Sequence, residues 1–255
     1  MTTRLPVLFV SHGSPTLALD TAKGAELDRW ARSIPTPRAI VVVSAHWERT
    51  PATVGTSRDG AIVHDFFGFP DELYALRYDA PGDVALAREL VARFALAQDS
   101  TRPRDHGVWV PLRHMFPRAE IPVLQVSLPS QGGAAAVFDL GRTLSPLRDE
   151  GVLLIGSGGA VHNLRALDWS DRSPPATWAE GFDRFVRETL VARDREALVT
   201  AAERAPSFRL AHPTPEHFLP ILFSAGAAWS DGDAVTFPIT GFELGNLDRL
   251  CVQFG

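Results

Sequence analysis

The segment LPVLFVSHGSP, residues 5–15, joins a run of apolar residues to a polar turn that carries a histidine and a glycine. The run itself, residues 5–10, has the length of one strand and does not alternate with polar residues. A continuous run of this kind is typical of a strand that is covered on both faces. The segment therefore predicts a buried strand with His12 just beyond its carboxyl end.

The same pattern recurs along the chain, with helical patterns between the apolar runs. The predicted strands are residues 5–10, 39–44, 121–126, 151–155, 234–239 and 250–254. The predicted helices are residues 22–34, 83–95, 133–147, 178–193, 195–203 and 215–226. This alternation favours an α/β fold with a mostly parallel or mixed central sheet flanked by helices, the later strands being antiparallel edges.

The chain offers little evidence for a division into domains. Residues 170–176, which include two prolines, are the best candidate for a boundary, but a loop of this length is ordinary within one domain. We therefore predict a single catalytic domain over residues 1–255.

Composition restricts the expected partners. The 255 residues carry a formal net charge of −5, which argues against nucleic acid and membranes as main partners and leaves a small molecule. One cysteine, Cys251, excludes an intrachain disulfide and a thiolate zinc cluster, so any metal must be held by His, Asp or Glu. The first residues do not form a signal peptide and no apolar stretch is long enough to cross a bilayer, which predicts a cytoplasmic protein.

Three of the eight histidines follow predicted strands. His12 follows residues 5–10, His46 follows residues 39–44, and His162 follows a glycine-rich turn after residues 151–155. Because ligands of open α/β sheets bind beyond the carboxyl ends of strands, these imidazoles should converge if the strands are neighbours. The sequence therefore predicts a cluster of imidazoles at the carboxyl ends of neighbouring strands.

The other histidines lie in loops or in helical patterns. Glu216 and His217 open a helical pattern in which Thr214 is a candidate cap and Pro215 a first-turn residue. His64 and His106 each adjoin an aspartate, which suggests contact with a substrate or support for another site residue. His114 and His212 are interpreted as structural.

Common catalytic motifs do not match. The glycines of residues 156–159 lack the spacing of a dinucleotide-binding loop, and no lysine follows them as in a phosphate-binding loop. No Gly-x-Ser-x-Gly nucleophile elbow is present. The single lysine, Lys23, falls in a predicted surface helix, which argues against Schiff-base chemistry.

The histidine segments together resemble a known family. Residues 12–15, 44–47, 105–109, 161–164 and 214–217, in this order and spacing, resemble the class III extradiol ring-cleavage dioxygenases, and within them the DOPA 4,5-dioxygenase branch. The similarity extends over essentially the whole chain, including residues 64–66 and 250–255.

The resemblance implies a metal site at the carboxyl ends of the strands and roles for individual residues. His12 and His46 match metal ligands, and His217 matches the next metal-associated position. Since the wider class uses two histidines and a carboxylate, Glu216 is the fallback for the third ligand. His162 matches the acid/base histidine, which is also a possible additional ligand. His106 and His64 match positions that would contact substrate or oxygen. His106 would also take part in catalysis.

These roles suit an Fe(II)-dependent enzyme. Non-haem iron needs nitrogen and oxygen ligands on one face and open positions on the other, where a catechol and O₂ can bind. A neighbouring histidine can accept the phenolic proton, which assigns His162. The resemblance thus implies opening of a catechol-type, DOPA-like ring next to the diol.

Two alternatives stay open at this point. Three imidazoles also suit Zn(II), so a zinc hydrolase that activates water is one alternative, although no His-Glu-x-x-His motif is present. A non-catalytic scaffold protein of the same fold is the other, although none of the four metal-site histidines is lost.

Overall fold

An eight-stranded mixed sheet forms the centre of the computed structural model, which describes residues 4–229 and 232–255. The strands in chain order are β1 (Val7–Ser11), β2 (Ala39–Arg49), β3 (Thr53–Gly55), β4 (Ala97–Asp99), β5 (Val123–Pro129), β6 (Val152–Gly158), β7 (Val235–Ile239), β8 (Phe242–Glu243), β9 (Leu247–Asp248) and β10 (Cys251–Phe254). Strands β8 and β9 form a separate small ladder.

The order across the main sheet is β4-β3-β5-β2-β6-β1-β10-β7. Its central strands β5, β2, β6 and β1 are parallel neighbours, which places their carboxyl ends at one edge of the sheet. Strand β10 pairs antiparallel with β1, and β7 pairs antiparallel with β10. The predicted mixed sheet with antiparallel late strands is confirmed. Of the two late strands in this sheet, β7 lies at an edge and β10 lies inside the sheet.

Helices cover both faces of the sheet. They are α1 (Thr21–Ala31), α2 (Asp71–Tyr74), α3 (Val84–Phe94), α4 (His106–Met115), α5 (Gly133–Leu144), α6 (Thr177–Ala192), α7 (Arg195–Val199), α8 (Ala201–Arg204), α9 (Phe208–Ala211) and α10 (Leu219–Ala227). Among the described residues, none of the helices is both long enough and apolar enough to span a membrane.

Each face of the sheet has its own apolar core. Val41 and Val43 of β2 pack with residues of α3, α5, α6 and α10, whereas Ile40 and Val42 pack with residues of α1 and α4. Because successive side chains of a strand point to opposite faces, a strand between two cores must be apolar at every position. This explains the continuous apolar runs of the sequence.

Two predicted boundaries differ in ways that matter for the site. Strand β2 continues to Arg49, so His46 lies within the strand, where its pairing with β5 shifts register between Val43 and Glu48. The predicted helix at residues 215–226 begins as a separate 3-10 turn, Pro215–His217, before α10. Thr214 makes no side-chain cap.

A predicted helix later in the chain is divided in the structure, and the candidate domain boundary lies within the domain. The predicted helix at residues 195–203 is broken at Thr200 into α7 and α8. Residues 170–176 belong to the same α/β domain, because Ala176 N–H donates to Asn246 Oδ1 beside the β8–β9 ladder. The described residues therefore form one α/β domain.

Candidate metal centre

The carboxyl ends of β1, β2 and β6 bring histidines together. His12 directly follows β1, and its backbone N–H donates to Gly158 O at the end of β6 at 3.0 Å. His46 projects from the irregular last part of β2, which is the other neighbour of β6. The strand-end rule therefore placed these two histidines correctly at one edge of the sheet.

His217 reaches the same edge because glycines allow its segment to lie against β6. A Cβ at Gly158 would stand 2.2 Å from His217 O, and one at Gly156 would stand 2.1 Å from Pro220 O. Gly159 N–H donates to His217 O at 2.9 Å. The glycines of residues 156–159 therefore admit a neighbouring stretch of backbone, which the sequence alone did not reveal.

Three imidazoles form a compact group that could hold a metal ion. One ligand atom from each of His12, His46 and His217 lies within 4.8 Å of the others. The Nε2 atoms of His12 and His46 are 3.1 Å apart. His12 and His217 are buried, with 1% and 6% of their surface exposed.

Hydrogen bonds fix which ring nitrogen of His12 is free. Ser157 Oγ–H donates to Gly107 O, so its oxygen is the acceptor for His12 Nδ1–H at 3.0 Å. The lone pair of His12 then lies on Nε2, the atom that faces His46. A histidine that ligates a metal usually has its other nitrogen bound in this way.

His217 shows the same arrangement. Its Nδ1–H donates to Glu216 Oε1 at 3.1 Å, while its Nε2 is buried without a hydrogen-bond partner. An unpartnered buried nitrogen carries a free-energy cost that a bound ion would remove. The donor set therefore fits a divalent transition-metal ion bound by imidazole nitrogens.

The surroundings keep His12 and His46 neutral. Burial, and then the adjacent His46 and His106 rings, hold the pKa of His12 well below its ordinary value. Burial, and then His106 and His217, lower the pKa of His46 to about 2. Neutral rings retain the lone pairs that a metal requires.

Glu216 stands behind His217, outside the group of three imidazoles. Burial alone would raise its pKa, but hydrogen bonds from His217 and from the Thr214 hydroxyl lower it to about 2. The carboxylate is thus an ionised acceptor that orients His217. In this geometry Glu216 is the partner of a candidate ligand and lies outside the group, whereas the fallback would have made it a ligand.

His162 lies beside the group. Its ring stacks on His217 with centroids 3.5 Å apart and planes 3° apart, and its backbone N–H donates to Ala211 O at 2.9 Å. Burial, and then His217, lower the pKa of His162 to about 3. His162 is not in the three-imidazole group.

His106 is the first residue of helix α4, and its ring lies next to the ring of His46. Asp65 Oδ1 accepts hydrogen bonds from His106 N at 3.0 Å and from His106 Nδ1 at 2.9 Å. The His106 ring lies 4.1 Å from that of His46 and 5.3 Å from that of His12, centroid to centroid. The His–Asp pairing that the sequence left unresolved thus joins Asp65 to His106, 41 residues away.

His64 lies one aromatic layer further out. Its ring is 5.7 Å from Phe66 and 5.4 Å from Trp109, and Phe66 is in turn 5.7 Å from His106. His64 Nε2 is buried without a hydrogen-bond partner. Phe66 therefore contacts both His64 and His106.

Sequence reasoning missed a buried network that holds the strand under His46. The Asp105 carboxylate is fully buried and accepts hydrogen bonds from Ser44 Oγ at 2.7 Å, from Gln125 Nε2, and from Arg102 at 3.0 Å. Arg102 also donates to His46 O at 3.1 Å. The signals in the sequence were the polar residues Ser44 and Gln125 within apolar strands and the position of Asp105 next to His106.

His114 and His212 belong to the fold. His114 Nε2–H donates to Leu17 O at 2.8 Å, and His212 Nε2–H donates to Ala160 O at 2.9 Å. Their Nε2 atoms are thus occupied by backbone carbonyls, as expected for structural residues.

Comparisons with known proteins agree with this geometry. The family described as the catalytic LigB subunit of aromatic ring-opening dioxygenase matches residues 6–243. The protein named 4,5-DOPA dioxygenase extradiol of Escherichia coli K12 is 40% identical over 261 residues, covering 99% of this chain and 96% of that protein. The protein of the same name from Beta vulgaris is 39% identical over 241 residues, covering 89% of this chain and 88% of that protein.

A solved structure shows the same architecture. The crystal structure of an uncharacterized protein from Escherichia coli K12 superimposes with a TM-score of 0.83 at 36% sequence identity, covering 99% of this chain and 100% of that one. The likeness therefore extends over the whole chain.

Proposed function

The chain belongs to the family of the catalytic LigB subunit of aromatic ring-opening dioxygenases, and from that premise we propose that it opens a catechol-type, DOPA-like ring with O₂ next to the diol. The observation that carries the proposal is the convergence of His12, His46 and His217, with the Nε2 atoms of His12 and His46 facing each other. As a member of this family the chain is an extradiol dioxygenase, which weighs against the hydrolase and scaffold alternatives.

We assign the metal to His12, His46 and His217. An Fe(II) ion held there would supply open positions for the catechol oxygens and O₂ and a route for electrons between them. The same imidazoles also suit Zn(II), which lacks redox chemistry. Hydrogen bonds to Ser157 and Glu216 keep the Nδ1 atoms of His12 and His217 protonated and their Nε2 atoms free.

We assign proton acceptance to His162. Its ring stacks on His217 and lies outside the three-imidazole group, so it is next to the proposed metal site without being one of its three ligands. An imidazole in this position can take the phenolic proton as the catecholate forms. The stack on His217 and the backbone bond to Ala211 hold the His162 ring in place.

The opposite wall of the site carries His106 and Phe66. Asp65 accepts the Nδ1–H of His106, which leaves Nε2 available to contact substrate or oxygen. Phe66 lies next to this ring and offers an apolar surface to an aromatic substrate. His64 packs against Phe66, and we propose it as a more distant substrate contact.

Ring cleavage by the iron-loaded protein tests the proposal. Protein loaded anaerobically with Fe(II) is mixed with a panel of catechols, DOPA among them, and then with air. We expect a yellow ring-fission product and consumption of O₂. Absence of both with every catechol, at confirmed iron occupancy, would reject the proposed function.

A further inference from the structure

A second set of possible metal ligands adjoins the first. One ligand atom from each of His46, Asp65 and His106 lies within 4.8 Å of the others. The set contains two imidazoles and one carboxylate, a combination that suits divalent iron and related ions. It shares His46 with the inner set, which we define as His12, His46 and His217.

The two sets use different sides of the shared His46 ring. His46 Nε2 is 3.1 Å from His12 Nε2 in the inner set, whereas His46 Nδ1 is 3.9 Å from Asp65 Oδ2. The other carboxylate oxygen, Asp65 Oδ1, receives both hydrogen bonds from His106. Asp65 Oδ2 is thereby directed towards His46.

The two sets also differ in their exposure to solvent. The difference comes from Asp65, whose side chain is 26% exposed. The His106 side chain is 9% exposed, close to the 7% of His217, whereas His12 is 1% exposed and the shared His46 side chain is 22% exposed. An ion that arrives from solvent therefore meets the carboxylate of Asp65 before it reaches the enclosed inner imidazoles. A negative charge at the entrance also attracts a cation.

We propose that His46, Asp65 and His106 form an outer metal position, which captures a divalent transition-metal ion from solvent and passes it to the inner set through the shared His46. In the transfer, bonds to Asp65 and His106 are exchanged for bonds to His12 and His217. His46 changes its coordinating atom from Nδ1 to Nε2, so Nε2 loses its proton to water and Nδ1 takes one from water. The proposal rests on the inner set being the metal site of the proposed function.

Zinc binding without substrate tests the outer position alone. In the double variant His12→Ala/His217→Ala the inner set retains only His46, so the outer set becomes the complete one. We expect this variant to bind one Zn²⁺ by isothermal titration, more weakly than the native chain. Adding Asp65→Asn should weaken binding at least about tenfold further, while the amide oxygen can still accept from His106 N–H.

Glu216→Gln in the same double variant is the matched control, because Glu216 is a carboxylate that bonds His217 and belongs to neither set. We expect it to leave zinc affinity unchanged. No zinc binding by the double variant, or residual binding that depends on Glu216 rather than on Asp65, would overturn the proposal. Circular dichroism of each variant shows whether it is folded, and His106→Ala provides a second way to remove the outer set.

Uptake kinetics test the transfer. Stopped-flow mixing of metal-free protein with Zn²⁺ and a chromophoric zinc indicator should show uptake slowed about tenfold by Asp65→Asn, with one ion still bound at saturation. Uptake at the native rate would overturn the proposal. These zinc measurements need no turnover, so a failure here is distinct from a failure of ring cleavage by the iron-loaded native protein.

Discussion

Two groups of histidines in this fold differ in which ring nitrogen forms a hydrogen bond with the rest of the protein. In His12 and His217 the Nδ1 atom is bound by Ser157 and Glu216, and Nε2 faces inward. In His212 the Nε2 atom donates to a backbone carbonyl, so it is not available to a ligand. The other ring nitrogen, Nδ1 of His212 and Nε2 of His217, is buried without a hydrogen-bond partner in both. Burial and an unpartnered nitrogen therefore do not separate a candidate ligand from a structural histidine, whereas convergence with the nitrogens of other imidazoles does.

The two groups also differ in their neighbours. The His12 ring has the rings of His46, His106 and His217 about it, whereas His212 packs among phenylalanines that include Phe182 and Phe208. Burial and the neighbouring imidazoles lower the pKa values of His12 and His46, which keeps these two rings neutral. A bound cation would offset the free-energy cost of bringing these neutral imidazoles together without hydrogen-bond donors. A single histidine packed among phenylalanines has no such cluster around it.

The largest effect is expected from His46→Ala, because His46 belongs to both the inner and the outer set. We expect loss of bound iron and a fall in ring-cleavage rate of at least about 10³-fold, since metal catalysis is worth several kcal/mol. Metal analysis and an O₂ electrode measure the two effects. His114→Ala is the control, and equal loss in that variant would contradict the distinction between the two groups.

The next effect is expected from His162→Ala. Removal of a proton acceptor should lower kcat by about 10²- to 10⁴-fold while the iron content stays near that of the native protein. Steady-state kinetics and metal analysis on the same preparation separate the roles. Loss of iron instead would make His162 a ligand.

A smaller effect is expected from Ser157→Ala, which removes the acceptor for His12 Nδ1–H. Partners of this kind contribute about 10- to 100-fold to metal affinity, so zinc affinity should fall by that factor. Competition with a chelator measures it. The matched control is Ser127→Ala, whose hydroxyl oxygen accepts from Thr53 N–H away from the histidines; equal affinities in the two variants would contradict the assigned role.

The smallest effect on activity is expected at His212, whose role lies in stability. Burial lowers its pKa to about 4, so below pH 6.5 the unfolded chain binds a proton that the folded chain does not. His212 should therefore destabilise the protein by about 1.4 kcal/mol per pH unit as pH falls from about 6.5 to 4. His212→Gln keeps a donor but does not titrate.

Denaturant unfolding across that pH range measures the difference between His212→Gln and the native chain. We expect the variant to lose less stability with acidification and to retain ring-cleavage activity at neutral pH. Identical pH slopes would contradict the structural assignment of His212.

Much of the site could be predicted because it follows the strands. His12 and His46 belong to neighbours of β6, and continuous apolar runs marked all of these strands. The extension of β2 beyond His46 was not predicted, because the register shift against β5 depends on a strand more than 70 residues away in sequence. The short strands β3 and β4 carry too few apolar residues to be marked by periodicity.

The sequence by itself determined the fold class, the covered sheet and the supply of imidazoles, because these follow from local apolar patterns and from composition. Tertiary structure decided which nitrogen each imidazole presents, since Ser157 is 145 residues from His12 and Asp65 is 41 residues from His106. It also decided that glycines of β6 admit the segment that carries His217. Hydrogen bonds and close backbone approaches between distant segments exist only after the chain has folded, so no local pattern records them.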